Sequence, residues 1–229
     1  MPYYYGFDSL YLLLVLPAFL ISLIAQIKVS SSFSKYSKVP SQLTGEEAAR
    51  RVLEINGVTD VKIERVRGNL SDHYDPKTNT IRLSDTVHSA NTIAAVGVAA
   101  HEAGHAVQYA KGYSPVKLRT VIYPVSSIGS KLSVPLVLAG IIFSFSILID
   151  LGILFFILAL VFQIITLPVE FNASRRAVKA LENGYILTKE QDLRGAKKVL
   201  TAAAMTYVAA VIVSLAQLLR LLALSNRRR

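Results

Sequence analysis

The stretch that decides the reading is Asn91-Thr-Ile-Ala-Ala-Val-Gly-Val-Ala-Ala-His101-Glu102-Ala-Gly104-His105-Ala-Val-Gln-Tyr109. Its length and alanine content predict a helix, with Ser89 or Asn91 able to cap it and Gly112 able to end it. Residues four apart on a helix lie one turn apart on the same face. The imidazoles of His101 and His105 can therefore reach one ion at about 2.0–2.1 Å. Glu102 projects beside that face, where a carboxylate can take a proton from an attacking water and pass it to a leaving amine. The chain has only four histidines, so two at this spacing with a glutamate at the required place weigh strongly against coincidence. The pattern predicts one Zn2+ ion held by His101 and His105, with Glu102 catalytic. Gly104 in mid-helix costs about 1 kcal/mol relative to Ala, which fits close approach of another backbone or simple tolerance.

A catalytic zinc takes a third protein ligand and keeps its fourth position open. Cys is absent from the chain, so that ligand is an imidazole or a carboxylate: His73, His88, Asp72, Asp75, Asp85, Glu170 or Glu182. Glu170 is our choice. It follows two apolar runs, Leu132 to Ile149 and Leu151 to Val169, split only by Asp150. Each is about 27 Å long as a helix, enough for a transmembrane hairpin. A hairpin returns the chain to the side it left, which brings Glu170 back near His105. Ser174, one helical turn further on, is placed to hydrogen-bond a zinc-bound imidazole. The competing reading of Glu170 is an interfacial carboxylate favoured by a helix N-terminus.

Working outward, the 229 residues leave room for one compact domain plus a few spans. With 52% apolar residues and a mean hydropathy of +0.44, the chain reads as a membrane protein. The net charge of +10 does not signal nucleic acid, because its distribution is topological. Residues 1–27 and 132–169 hold no Lys or Arg, whereas 14 basic residues fall in 28–131 and 7 in 170–198. No recognition motif or aromatic-interleaved basic stripe accompanies them. Residues 1–27 predict an uncleaved anchor, since no basic segment precedes the apolar run as a signal peptide requires. In 28–131 we expect a small α+β metallopeptidase domain. Thr44 and Glu47 form a capping box for a helix ending at Gly57, Val61 to Val66 and Thr80 to Leu83 alternate as strands, and the helix at 101–105 follows. The hairpin occupies 132–169, a polar helix carrying the third ligand 170–198, and an apolar helix with a basic tail 199–229.

Four segments in order carry a family resemblance: Ser71-Asp-His-Tyr-Asp-Pro76, Ile81-Arg-Leu-Ser84, Ala94 to His105, and Pro168-Val-Glu-Phe-Asn-Ala-Ser-Arg-Arg-Ala177. They closely resemble the YugP-type neutral zinc metallopeptidases, and the matches cover most of the chain. More distantly, the layout is similar to HtpX and the CAAX prenyl proteases of the gluzincin group. The resemblance implies a zincin-like (gluzincin) domain on a multi-span α-helical membrane protein, with His101, His105 and Glu170 as ligands and Glu102 as base and acid. Where the HtpX-like pattern has Asp, this chain has Ser174, which weakens the expected contact to the imidazole.

Enzymes of this type bind substrate as an added strand, and Asn79, Thr80, Ile81, Arg82 and Leu83 are the expected edge, unless they form an interior strand. His73, Tyr74, Tyr109, Arg175 and Arg176 are the possible donors to an oxyanion. The expected partners are the lipid bilayer and membrane-associated polypeptide substrates, with no nucleic acid. The basic excess places the active site on the cytoplasmic side of the cell membrane; the tail Arg227 to Arg229 fits that topology badly if the last segment spans. Two rivals remain at this level: a site-two-type intramembrane protease, and a non-catalytic membrane protein with structural zinc.

Overall fold

The structure, a computed structural model, describes residues 11–226. The first ten residues of the expected anchor and the basic tail at 227–229 lie outside that range. A π-helical turn, Tyr11–Val15, runs into α1 (Leu16–Tyr36). There follow α2 (Gly45–Ile55), β1 (Lys62–Val66), β2 (His73–Asp75), β3 (Thr80–Ser84), α3 (Ile93–Ala110), α4 (Ser114–Phe143), α5 (Ser146–Asn183) and α6 (Glu190–Asn226). The fold is mostly helical, with one three-stranded sheet. The chain divides into two compact units.

The first unit comprises 27–117 and 168–205. Its α2 starts at the expected capping box: Thr44 accepts from the Glu47 amide, and the Glu47 carboxylate accepts from the Thr44 amide at 2.7 Å. The apolar face of α2 (Ala48, Ala49, Val52, Leu53) packs in one core with Ile81 and Leu83 of β3 and the alanine-rich faces of α3 and α5. The N-cap of α3 is Thr92, whose hydroxyl accepts from the Ala95 amide. Neither Ser89 nor Asn91 caps it, because the helix begins one residue later than a cap at Asn91 requires and three later than one at Ser89. Past its end, Gly112 adopts φ +64°, a left-handed turn suited to glycine.

The strand order is β1-β3-β2, with β3 parallel to β1 and antiparallel to β2. This corrects the expected edge strand. Thr80 to Leu83 lie in the central strand, hydrogen-bonded on both sides and largely buried, and Asn79 is its flanking turn residue with φ +49°. The second partner is β2, whose three residues are too few to show alternation. Among the described residues β1 and β2 form the edges, and β2 is the one that packs against α3.

The second unit takes in 11–26, 118–167 and 206–226. It is built from apolar helix, with Ile149, Ile153, Leu160 and Leu218 at its core and residues such as Phe19, Val121, Ile142 and Leu154 facing outward. Side-chain bonds stitch its helices: Ser126 Oγ donates to the Leu158 carbonyl at 3.4 Å, and Ser214 Oγ donates to Gln163 Oε1 at 2.9 Å. Four helices among the described residues are long and apolar enough to cross a membrane: Tyr11–Tyr36, Ser114–Phe143, Ser146–Asn183 and Glu190–Ser225. The hairpin breaks at Ser144, where φ is +58°, and Asp150 lies inside α5. An aspartate within an apolar run does not stop a helix, whereas a left-handed residue does. The first unit ends this stretch at Lys117, three residues into α4, which runs unbroken through Lys131.

Candidate metal centre

Three of the expected side chains meet. Glu170 Oε2 stands 3.3 Å from His101 Nε2 and 3.4 Å from His105 Nε2. One ligand atom from each of the three lies within 4.8 Å of the others. Ligands bound tetrahedrally at about 2.0–2.1 Å are separated by roughly 3.3–3.4 Å, so both imidazole-to-carboxylate separations match that spacing. Without an ion, His101 Nε2 is also within hydrogen-bond reach of the same carboxylate oxygen. A buried carboxylate facing two imidazoles is a donor set that suits Zn2+, and no fourth imidazole or carboxylate joins the group among the described residues.

Helix crossing creates this convergence. A Cβ added at Gly104 would lie 2.7 Å from the Ala173 carbonyl oxygen of α5, so the glycine lets the two backbones touch. Close approach is therefore the reading of Gly104 that holds. His101 and His105 flank that contact on α3, and Glu170 and Ser174 flank it on α5.

The far nitrogens of both rings are engaged. Ser174 Oγ lies 3.1 Å from His101 Nδ1. Gln108, one turn beyond His105 and fully buried, places Oε1 3.1 Å from His105 Nδ1. Its amide nitrogen donates to the Val169 carbonyl at 2.8 Å and to Asn172 Oδ1 at 3.0 Å. A carbonyl can only accept, so the Gln108 amide has one orientation, its oxygen accepts from His105 Nδ1–H, and Nε2 is the ring nitrogen turned to Glu170. Sequence reasoning missed Gln108. Its signal was the i+3 spacing from His105 on a predicted helix, which an unremarkable glutamine does not advertise.

Glu102 is buried beside His101, and burial pushes its carboxyl up to about 7, with the negative charges of Glu170 and Asp72 acting in the same direction and His101 opposing. Four of the other acidic and imidazole candidates are occupied elsewhere, and Glu182 is exposed. Asp72 accepts from the Ser84 amide and hydroxyl at 2.7 and 3.0 Å, Asp75 pairs with Arg82, Asp85 with Arg65, and His88 faces Glu46. Of the oxyanion candidates, Tyr74 donates to Asn79, and Tyr109 packs with its ring centroid 5.4 Å from that of Tyr74. Arg176 donates to Asn172, and Arg175 is exposed beside it. His73, in β2, has Nδ1 2.8 Å from the Ser71 carbonyl, and its electrostatic influence reaches Glu102.

A membrane-type helical architecture with a His, His, Glu centre of zinc spacing defines a class, and comparison agrees: the chain belongs to the family described as "Putative neutral zinc metallopeptidase", whose pattern it matches over residues 11–226. It is 49% identical over 214 residues to the "Putative membrane protease YugP" of Bacillus subtilis (strain 168), covering 92% of this chain and 94% of that one. No solved structure matches it.

Proposed function

We propose that this chain is a membrane-bound zinc endopeptidase with a zincin-like, gluzincin-type site. The observation that carries the reading is the convergence of His101 Nε2, His105 Nε2 and Glu170 Oε2 at ligand spacing, with both rear ring nitrogens tied down. His101, His105 and Glu170 would hold the ion. When bound, zinc polarises a carbonyl and lowers the pKa of water, which is the chemistry peptide hydrolysis needs.

The chain's own residues supply the rest. Glu102 takes a proton from the attacking water and delivers it to the leaving amine; its raised affinity for a proton suits both halves of that task. Ser174 and Gln108 fix the ring orientations and, for His105, the tautomer. His73 is the donor we assign to the developing oxyanion, since Tyr74 and Arg176 are committed elsewhere. A substrate strand would add to the outer edge of β2, the edge strand packed against α3, rather than to β3.

Two features favour this over an intramembrane protease or a structural zinc protein. The helix α3 is not among the four candidate spans, and the donor group has three members, leaving a position for solvent. The basic excess of 28–131 and 170–198 supports a cytoplasmic active site. Substrates are then polypeptides near the bilayer, as membrane-protein quality control would require.

The test pairs zinc analysis with a peptidase assay on purified wild type and Glu102→Gln. Retained zinc with cleavage reduced by about 10²–10⁴-fold is expected. Undiminished cleavage in the variant removes Glu102 from the chemistry.

A further inference from the structure

Within the same compact unit, α5 and the end of α2 border an open hollow of about 430 Å³, whose lining includes Asn56, Asn172, Arg175, Arg176, Lys179 and Asn183. Arg175 and Lys179 are four residues apart and Arg176 and Lys179 three apart, so the cations share one face of α5. Like charges at that spacing destabilise a helix, and no carboxylate lines the hollow to offset them. Among the described residues none of the three forms an ion pair. The negative end of the α5 dipole acts over its last turn, before Asn183, and does not account for Arg175 or Arg176. Arg176 is anchored through one edge only: Nε donates to Asn172 Oδ1 at 2.8 Å, which leaves its two Nη groups for the hollow.

We propose that this hollow binds a phosphate-bearing anion. Three cations and three amides exceed what a lone carboxylate can satisfy, and they match a multiply charged group with several acceptor oxygens. The volume admits a phosphate with an organic substituent, and Ile55 supplies an apolar wall. The phosphate comes from an anionic phospholipid headgroup or from a soluble phosphate. Occupancy is also felt at the metal centre, because Asn172 Oδ1 accepts from both Arg176 and Gln108, and Gln108 holds His105. The binding site itself does not depend on the peptidase reading.

The experiment is calorimetric titration of the full chain, delipidated in neutral detergent, with inorganic phosphate and separately with short-chain phosphatidylglycerol. Wild type is compared with the double variant Arg175→Gln, Lys179→Gln, and with Arg65→Gln, Arg67→Gln as a control of equal charge change. Both residues of the first pair are exposed, so their loss leaves the core intact. Wild type binds at least one titrant, the first pair weakens that binding by about tenfold or more, and the control does not. Binding of inorganic phosphate identifies a soluble source, and binding of the lipid alone a headgroup. Failure of wild type to bind either, unchanged binding by the first pair, or equal weakening by the control overturns the proposal.

Discussion

His105 is oriented by Gln108, a residue outside the His-Glu-x-x-His pattern, and the cost of losing it is measurable. Gln108→Leu keeps the volume but leaves His105 Nδ1 without its acceptor, so zinc affinity should fall about 10–100-fold, as read by chelator competition. Ser174→Ala should act in the same direction through His101, and wild-type affinity in both variants would show that the contacts at 3.1 Å carry no weight. The pairing of His101 with His105 and the place of Glu102 beside them were legible because the chemistry they suit fixes their spacing. Glu170 was legible through the argument that a hairpin returns and through the family resemblance. Gln108 and Asn172 were not legible, because a buried amide network has no periodic signature and is recognised only when its partners from two helices are in place.

Among the elements, the crossing of α3 and α5 controls the site. Gly104→Ala puts a methyl 2.7 Å from a backbone oxygen that cannot swing away, so the helices must part. We expect a loss of about 1–3 kcal/mol in stability together with weaker zinc binding; a stable variant with normal affinity would contradict the crossing. In the β2–β3 hairpin, hydrogen bonds from Arg82, Thr78 and the Lys77 amide lower the Asp75 carboxyl from 3.8 to about 2. A carboxyl lowered on folding stabilises the fold above its unfolded pKa, and that contribution disappears as pH falls from near 3.8 through about 2. Amide exchange in this hairpin should therefore accelerate across that window in wild type, and Asp75→Asn should remove the step. The capping box of α2 and strands β1 and β3 could be read directly, from a local hydrogen bond and from alternation. Strand order could not, since nothing in residues 79–83 says which neighbours they pair with.

For the whole molecule, the apolar helices were plain from composition, while the break at Ser144 was hidden because a lone serine inside an apolar run is only a weak turn signal. The charge distribution predicts a side: cysteines introduced singly at Asn69 and Asn183 in this cysteine-free chain should react with a membrane-impermeant thiol reagent only after the cytoplasmic face is opened. Labelling from outside intact cells would reverse the orientation. The central claim is the shared ion, and X-ray absorption at the zinc edge on the purified full chain tests it most directly. We predict one zinc per chain with only nitrogen and oxygen neighbours at about 2.0–2.2 Å, two of them imidazoles, and loss of the metal in Glu170→Ala. Full zinc occupancy with an unaltered coordination shell in Glu170→Ala would contradict it.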